Sequence, residues 1–318
     1  MGPLSLKGVE YSDETRRLSI GAARLAWRPA RLLGGELSIE LLSIEGVDYE
    51  QDAEETPPPE TGGSALPSID LPIRVVVSKA TLDDITFTSG DQTVTVGHVA
   101  LAGRMDEQGL RIESLRVEAP QFAVLLSGKV DPRGAYPFDL SADWSADLLP
   151  DASLQGKGEA KGTLEKFDLR HHLTAPFSIN TQGTVRLEEG TPVVDLTGSW
   201  SKAQWPLTEE AMVESHQGTY QFSGPMDDYR FRLQADLRGP LFPETLWEIE
   251  GTGSQKMATV REVAVRTLDG KINGKGEIAW APEVHWALAL DGSTLNPGSA
   301  LARMEGTDLR FISTPKEN

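Results

Sequence analysis

Apolar and polar residues alternate along most of this chain, in short runs from Leu18 to Leu290 separated by glycine or proline. Alternation with a period of two gives each strand one apolar and one polar face. The cleanest run sets Tyr229, Phe231, Leu233, Ala235 and Leu237 against Arg230, Arg232, Gln234, Asp236 and Arg238. Such a strand meets water on one side only, so what covers the other side is the functional question. Leu37, Ile39 and Leu41 form an early stripe. Strand signals resume at Leu71 and pass through Ile73, Val75 and Val77, then Ile85 and Phe87, then Val94 and Val96, with turn residues such as Ser89-Gly90-Asp91 between them. This spacing predicts a meander. Helices are predicted only as short pieces, at Pro29 to Leu33 and Thr208 to His216, because nowhere do apolar residues hold positions i, i+3, i+4 and i+7 for three turns.

One interruption divides the chain. From Gln51 to Gly63 it turns acidic and proline-rich, with Pro57, Pro58 and Pro59 in succession, and reads as a solvated loop. The expected organisation is therefore N-proximal strands over 1–50, a loop over 51–70, and a continuation of the same repeating sheet over 71–318. Within that continuation a form recurs. Leu126 to Val130, a turn at Asp131 to Gly134 and Phe138 to Trp144 resemble Ile272 to Trp280, a turn at Pro282 and Val284 to Leu290; Phe222 to Met226, Asp227-Asp228 and Tyr229 to Leu237 are a third version. Each is a strand, a tight turn and a returning strand, which predicts antiparallel neighbours. Glycine occupies the apolar register at 128, 224, 274 and 276, marking either a bend in the strand or a place where small residues keep the inner space open.

Composition narrows the function. A 318-residue chain with 39% hydrophobic and 25% charged residues is long enough to bury a core. It has no cysteine, which removes disulfides, thiol catalysis and thiolate-bound metals. The net charge of -18 argues against sequence-independent nucleic-acid binding, which needs clustered cations, and favours solubility. No run approaches the roughly 18 apolar residues of a membrane span, and Met1-Gly2-Pro3 does not open a secretory signal.

Candidate chemistry is sparse. Adjacent His171 and His172 point to opposite faces of a strand and cannot share an ion, while His98, His216 and His285 are scattered. His171 shares the register of Phe167, Leu169 and Leu173, as a lining residue or a pH-sensitive one. The pairs Asp83-Asp84, Glu188-Glu189 and Asp227-Asp228 read as solvated turns rather than acid and base. Gly156-Lys157-Gly158 and Gly251-Thr252-Gly253 lack the spacing of a phosphate loop. No catalytic, metal or cofactor site is predicted.

The residues carry a family resemblance. Leu25-Ala26-Trp27-Arg28-Pro29, Leu32-Leu33-Gly34-Gly35, Leu37-Ser38-Ile39 and Ile44-Glu45-Gly46-Val47, followed by the acidic proline-rich segment, resemble the N-terminal region of the TamB family of Gram-negative bacteria. The likeness continues through Trp205-Pro206-Leu207, Gly218 to Gly224, Asp228-Tyr229, Trp247 with Gly251 and Gly253, Gly276 to Trp280 with Pro282 and Trp286, and Leu295-Asn296-Pro297-Gly298. AsmA-like proteins are the family with which this pattern is most easily confused. The resemblance implies an elongated, curled, antiparallel all-β sheet with an apolar concave face and few short helices. It also implies a periplasmic bridge between inner and outer membranes, linked to phospholipid transport and outer-membrane protein assembly. Family members begin with an inner-membrane anchor and end with a domain that engages a TamA-like outer-membrane protein. This chain reads as an N-proximal periplasmic fragment.

The expected lining of an acyl-chain groove is Leu140, Trp144, Phe167, Leu169, Leu187, Phe222, Phe231, Leu233, Ile278, Trp280, Trp286, Leu288 and Leu290, with some tryptophans at the rim. Without the resemblance the same residues would read as a sandwich core. Two other functions compete: a scaffold that guides outer-membrane strands by edge pairing, and a β-enzyme acting on polysaccharide.

Overall fold

A computed structural model describes residues 3–13, 15–51, 71–90, 92–149, 152–188, 190–207, 210–240, 242–281 and 283–293. They form one sheet of 18 strands. In chain order these are β1 (Leu4–Ser12), β2 (Arg16–Trp27), β3 (Glu36–Gln51), β4 (Arg74–Ser89), β5 (Gln92–Asp106) and β6 (Gly109–Ala119). There follow β7 (Phe122–Val130), β8 (Phe138–Leu149), β9 (Ala152–Gly162), β10 (Lys166–Ala175), β11 (Ser178–Glu188) and β12 (Thr191–Trp205). The last six are β13 (Val213–Pro225), β14 (Tyr229–Gly239), β15 (Phe242–Gly253), β16 (Met257–Thr267), β17 (Gly270–Ala279) and β18 (His285–Ser293). Every strand pairs with the next in sequence, and β1 and β18 do not pair with each other, so the sheet is curled and open rather than a closed barrel. With strands about 4.8 Å apart, it extends about 80 Å across them.

Four expectations change. All ladders are antiparallel except β3 with β4, which is parallel, from Glu36↔Arg74 to Gln51↔Ser89. A parallel pair needs a connection that returns the chain to the starting end of the sheet; residues 52–70 make that connection and lie outside the described residues, as does most of the proline-rich loop. The early stripe is also broken. Leu37 and Ile39 pair with Val75 and Val77, but the apolar face resumes at Leu42 and Ile44 rather than Leu41. The strand after the loop begins at Arg74, not Leu71. Finally, Val213 to His216 belong to β13, not to a helix; Pro29–Gly34 is a 3-10 turn closed by Gly35 in the left-handed conformation. Pro282 and the Leu295 to Gly298 motif lie outside the described residues.

Local irregularities keep one face apolar across these breaks. At one level of the sheet Gly8, Gly21, Gly46, Asp84 and Gly97 fall in line across β1–β5, each skipped by the regular pairing on both sides. Gly8, Gly46 and Asp84 have φ of 62°, 69° and 54°. Glycine adopts this conformation without a Cβ clash, and aspartate is among the few other residues that tolerate it. The extra residue lets the apolar side continue in phase, from Leu6, Ala23, Ile44, Leu82 and Val99 to Val9, Ile20, Val47, Ile85 and Val96.

The opposite face is charged and paired across strands. Asp143 meets Lys157 at 2.8 Å, Asp139 meets Lys161 at 2.9 Å and Arg232 meets Glu250 at 2.7 Å, each between residues directly opposite in the ladder. These pairs are largely exposed, so they align registers and keep the face wet more than they stabilise the fold.

Candidate functional site

The ladders place the apolar residues in continuous rows running the length of the sheet. One row contributes a residue from every strand: Leu6, Ala23, Ile44, Leu82, Val99, Val117, Val124, Trp144, Gly156, Leu173, Ile179, Trp200, Gly218, Ala235, Trp247, Val265, Ile272 and Gly292. A second runs from Leu4 to Leu290, and a third from Trp27 to Leu288. A fourth runs from Leu37 to Gly224, and its line resumes with Tyr229 and ends at Trp286. None of the four contains a charged residue. Spaced two residues apart along each strand, they form a strip about 20 Å wide.

The thirteen expected residues lie on this strip or at its ends. Leu140, Leu169, Phe222, Phe231 and Leu288 share the third row. Leu233 and Leu290 are in the second, Trp144 in the first, and Phe167, Ile278 and Trp286 in the fourth. Leu187 faces Pro192 beyond the fourth row, and Trp280 follows the last residue of β17. Strands β1–β7 contribute equally, through Trp27, Ile39, Val77 and Ile112 among others, yet none of their residues is among the thirteen. The register shifts after Val77 and Ile112 move the face by one position and hide it from a strict count by twos.

Little covers the strip. Among the described residues no large side chain is less than 2% exposed; within the rows exposure is greatest on the edge strands, at Trp286 (68%), Leu290 (56%) and Leu4 (58%), while row residues between them are mostly half-buried or, like Leu173 and Val194, buried. The densest packing is at Val260, Val263 and Val265, with Phe231, Trp247, Ile249 and Ile272 against them.

Elsewhere the floor is built from rings laid over glycines. A Cβ at Gly156 would meet the Trp144 indole at 2.7 Å, and one at Gly218, Gly198 or Gly253 would strike Trp200, Tyr220 or Tyr229 respectively. These rings reach over the glycine of a neighbouring strand, and some contact the strand beyond it. Phe138 on β8 thus meets Phe167 on β10 across Gly162, with centroids 5.6 Å apart. Of the glycines singled out from sequence, Gly274 and Gly276 lie against Leu290 and Leu288, whereas Gly128 and Gly224 adopt φ of 139° and 115° beside a facing backbone carbonyl.

Four of the indole N–H groups find acceptors within the protein. Trp200 donates to Ser215 Oγ at 2.9 Å, Trp247 to Thr245 Oγ1 at 2.8 Å and Trp280 to the Gln255 carbonyl at 2.7 Å. Trp144 donates to His171 Nε2 at 3.1 Å, and the two rings stack. Because an indole only donates, His171 Nε2 is the acceptor and its proton sits on Nδ1. Burial holds the His171 pKa below the usual imidazole value, with a smaller contribution from His172, so the ring is neutral. His172 points the other way and bonds Ser178. Thr181, opposite His171 in the ladder, bonds the Tyr220 hydroxyl at 2.5 Å across Gly198.

Other chemistry lies off the strip. A depression of about 690 Å³ sits on the polar side of β9–β13, over Asn180, Gln182, Thr197, Ser199 and Thr219. His98 bonds Asp83 at 2.6 Å on that side as well. Among the described residues no cluster of His, Asp and Glu is arranged to hold a metal ion, and no helix is long and apolar enough to cross a membrane.

A family profile described as TamB, N-terminal domain, matches residues 2–111 and 62–307. The chain belongs to the TamB N-terminal domain family. The two matched stretches overlap, as repetition of one strand-turn-strand form allows. Among curated relatives, the translocation and assembly module subunit TamB of Haemophilus influenzae (strain ATCC 51907 / DSM 11121 / KW20 / Rd) is 24% identical over 214 residues. That alignment covers 62% of this chain and 16% of the relative, so the chain spans a small part of the length of that TamB. No solved structure matches it.

Proposed function

We propose that this TamB segment is a non-catalytic periplasmic bridge whose apolar strip carries phospholipid acyl chains between inner and outer membranes, and so supports outer-membrane protein assembly. An anchor in the inner membrane and a TamA-like partner at the outer membrane, both engaged by other parts of a longer protein, complete the path. The observation that carries this reading is a strip about 80 Å long, uncharged in every row, with substantial contacts between strands only where they are consecutive and no described element packed across it.

At about 0.8 kcal/mol per methylene, a sixteen-carbon chain gains about 12 kcal/mol in hydrocarbon over water. A lipid therefore cannot cross an aqueous gap unaided. On an apolar strip most of that gain is kept at every step, so the chain slides between sites of similar energy while its headgroup stays at the wet edge. Such movement needs direction from outside and no bond-making residue.

The test is native mass spectrometry and lipid extraction of the protein purified from a Gram-negative host. Phospholipid is expected to co-purify, and to be lost from Leu233→Asp and Trp286→Asp variants whose circular dichroism remains that of the sheet. Lipid retained by both variants would remove the strip as carrier. A lipid-free protein that excludes apolar dyes would mean that the face closes on itself.

A further inference from the structure

The strip has one polar inclusion, and its chemistry is specific. Within the row from Leu4 to Leu290, the ladder runs Gly158, His171, Thr181, Gly198, Tyr220 in succession. His171 and Thr181 stand where neighbouring strands place Leu, Ala or Gly. Trp200 and Trp247 satisfy their N–H groups with the buried hydroxyls of Ser215 and Thr245, so an indole here needs only a hydroxyl. Trp144 has instead an imidazole, which accepts at Nε2 and keeps a second polar atom, Nδ1–H, with no partner among the described residues. In the Thr181–Tyr220 pair one hydroxyl donates to the other, which leaves one O–H hydrogen over. The inclusion thus offers two donors, one on β10 and one on the Thr181–Tyr220 pair beside it, within a face that carries no charge.

Resting on the proposed function, we infer that His171, Thr181 and Tyr220 form a station for the ester carbonyls of a diacyl glycerolipid, at the junction between its acyl chains and its headgroup. Two neutral donors side by side suit two neutral acceptors, which the paired ester groups supply. A phosphate or carboxylate would find no cation on this face, because Lys157, Arg170 and the other charges beside these strands belong to the opposite register. The flanking leucines and rings, Leu169, Leu173, Phe222 and Trp200, take the chains. An acyl chain sliding on the rest of the strip would pause here, with its headgroup held at a defined level.

The test compares two probes that differ only at the proposed contact: dipalmitoyl phosphatidylcholine, a diester, and its dihexadecyl diether, which lacks both carbonyls. Binding to the purified protein is followed by native mass spectrometry. The diester is expected to bind about tenfold more tightly, the scale of one or two net hydrogen bonds. In a His171→Leu/Thr181→Val/Tyr220→Phe variant that preference is expected to vanish while diether affinity is unchanged. Tyr220→Phe alone, which keeps the ring over Gly198, is expected to lose part of it. Equal binding of both probes to the unaltered protein would overturn the station and leave the acyl-chain strip standing. Binding of neither would overturn both.

Discussion

The strip is finished in two different ways along its length. In β14–β17 the apolar face is closed by branched residues, with Ala235, Val260, Val263 and Val265 each 5% exposed or less. In β8–β13 Trp144, Trp200 and Tyr220 lie over glycines, each ring half-buried, with smaller buried residues such as Leu173 and Val194 between them. One alternating pattern thus yields a local core in one region and an open floor in the other. The difference lies in the partner of each large residue. Where valine and isoleucine line the neighbouring strands, a large residue such as Trp247 joins a buried cluster; where glycine faces it, the ring fills the space that glycine leaves, and Phe231 over Gly251 does both. The two sequence readings of glycine, as a bend and as a means of keeping space open, both describe parts of this arrangement.

The contrast can be broken by charge. Val263→Asp would bury an unpaired carboxylate in the closed region and is expected to cost several kcal/mol, abolishing the cooperative unfolding transition of the sheet. Leu169→Asp, on the open floor, should leave that transition in place and be felt in lipid binding instead. A Leu169 variant that also failed to fold would mean that the floor is a covered core.

Gly218→Ala sharpens the comparison at intermediate cost. The new methyl would strike the Trp200 ring, and overpacking of this kind costs about 1–3 kcal/mol. Adding Trp200→Leu should recover much of the loss in a denaturant midpoint, because the flat ring is what the methyl meets.

A smaller effect separates His171 from its surroundings. Its pKa in the folded sheet lies below the unfolded value of about 6.5. The favourable contribution of the neutral ring is therefore complete above that pH and is lost as pH falls through the depressed value, when Nε2 takes a proton and can no longer accept from Trp144. Trp144 bonds and stacks on it, Thr181 and Gly158 stand opposite it in the ladders, and His172 adds repulsion from the neighbouring position. Unfolding midpoints measured from pH 7.5 to 5 should fall more steeply for the unaltered chain than for His171→Leu. Least of all, Arg232→Gln on the polar face should change stability by less than about 1 kcal/mol, since the Glu250 pair is about half-exposed on both sides.

Much of this was legible in the sequence. The run Tyr229 to Leu237 shows its two faces directly, and the strand-turn-strand repeats gave the order of pairing. What escaped has local physical causes. Bulges such as those after Val77 and Ile112 shift the face by one residue, so a count by twos finds stripes such as Val75–Val77 and Ile85–Phe87 but does not join them into one face. The parallel β3–β4 pair depends on where the chain returns after residue 51, which alternation does not encode. The Trp144–His171 and Thr181–Tyr220 contacts each span three strands, and only the register brings those side chains together.

The central claim is that acyl chains travel on this one face. A phospholipid carrying a photoreactive diazirine at the end of one acyl chain, irradiated with the protein and mapped by peptide mass spectrometry, tests it most directly. The account requires labels on row residues, such as Leu140, Leu169, Phe231 and Leu233, spread over strands from β2 to β18, with Arg232, Lys157 and Arg170 unlabelled. Labels confined to a single spot, or placed on the charged face, would contradict it.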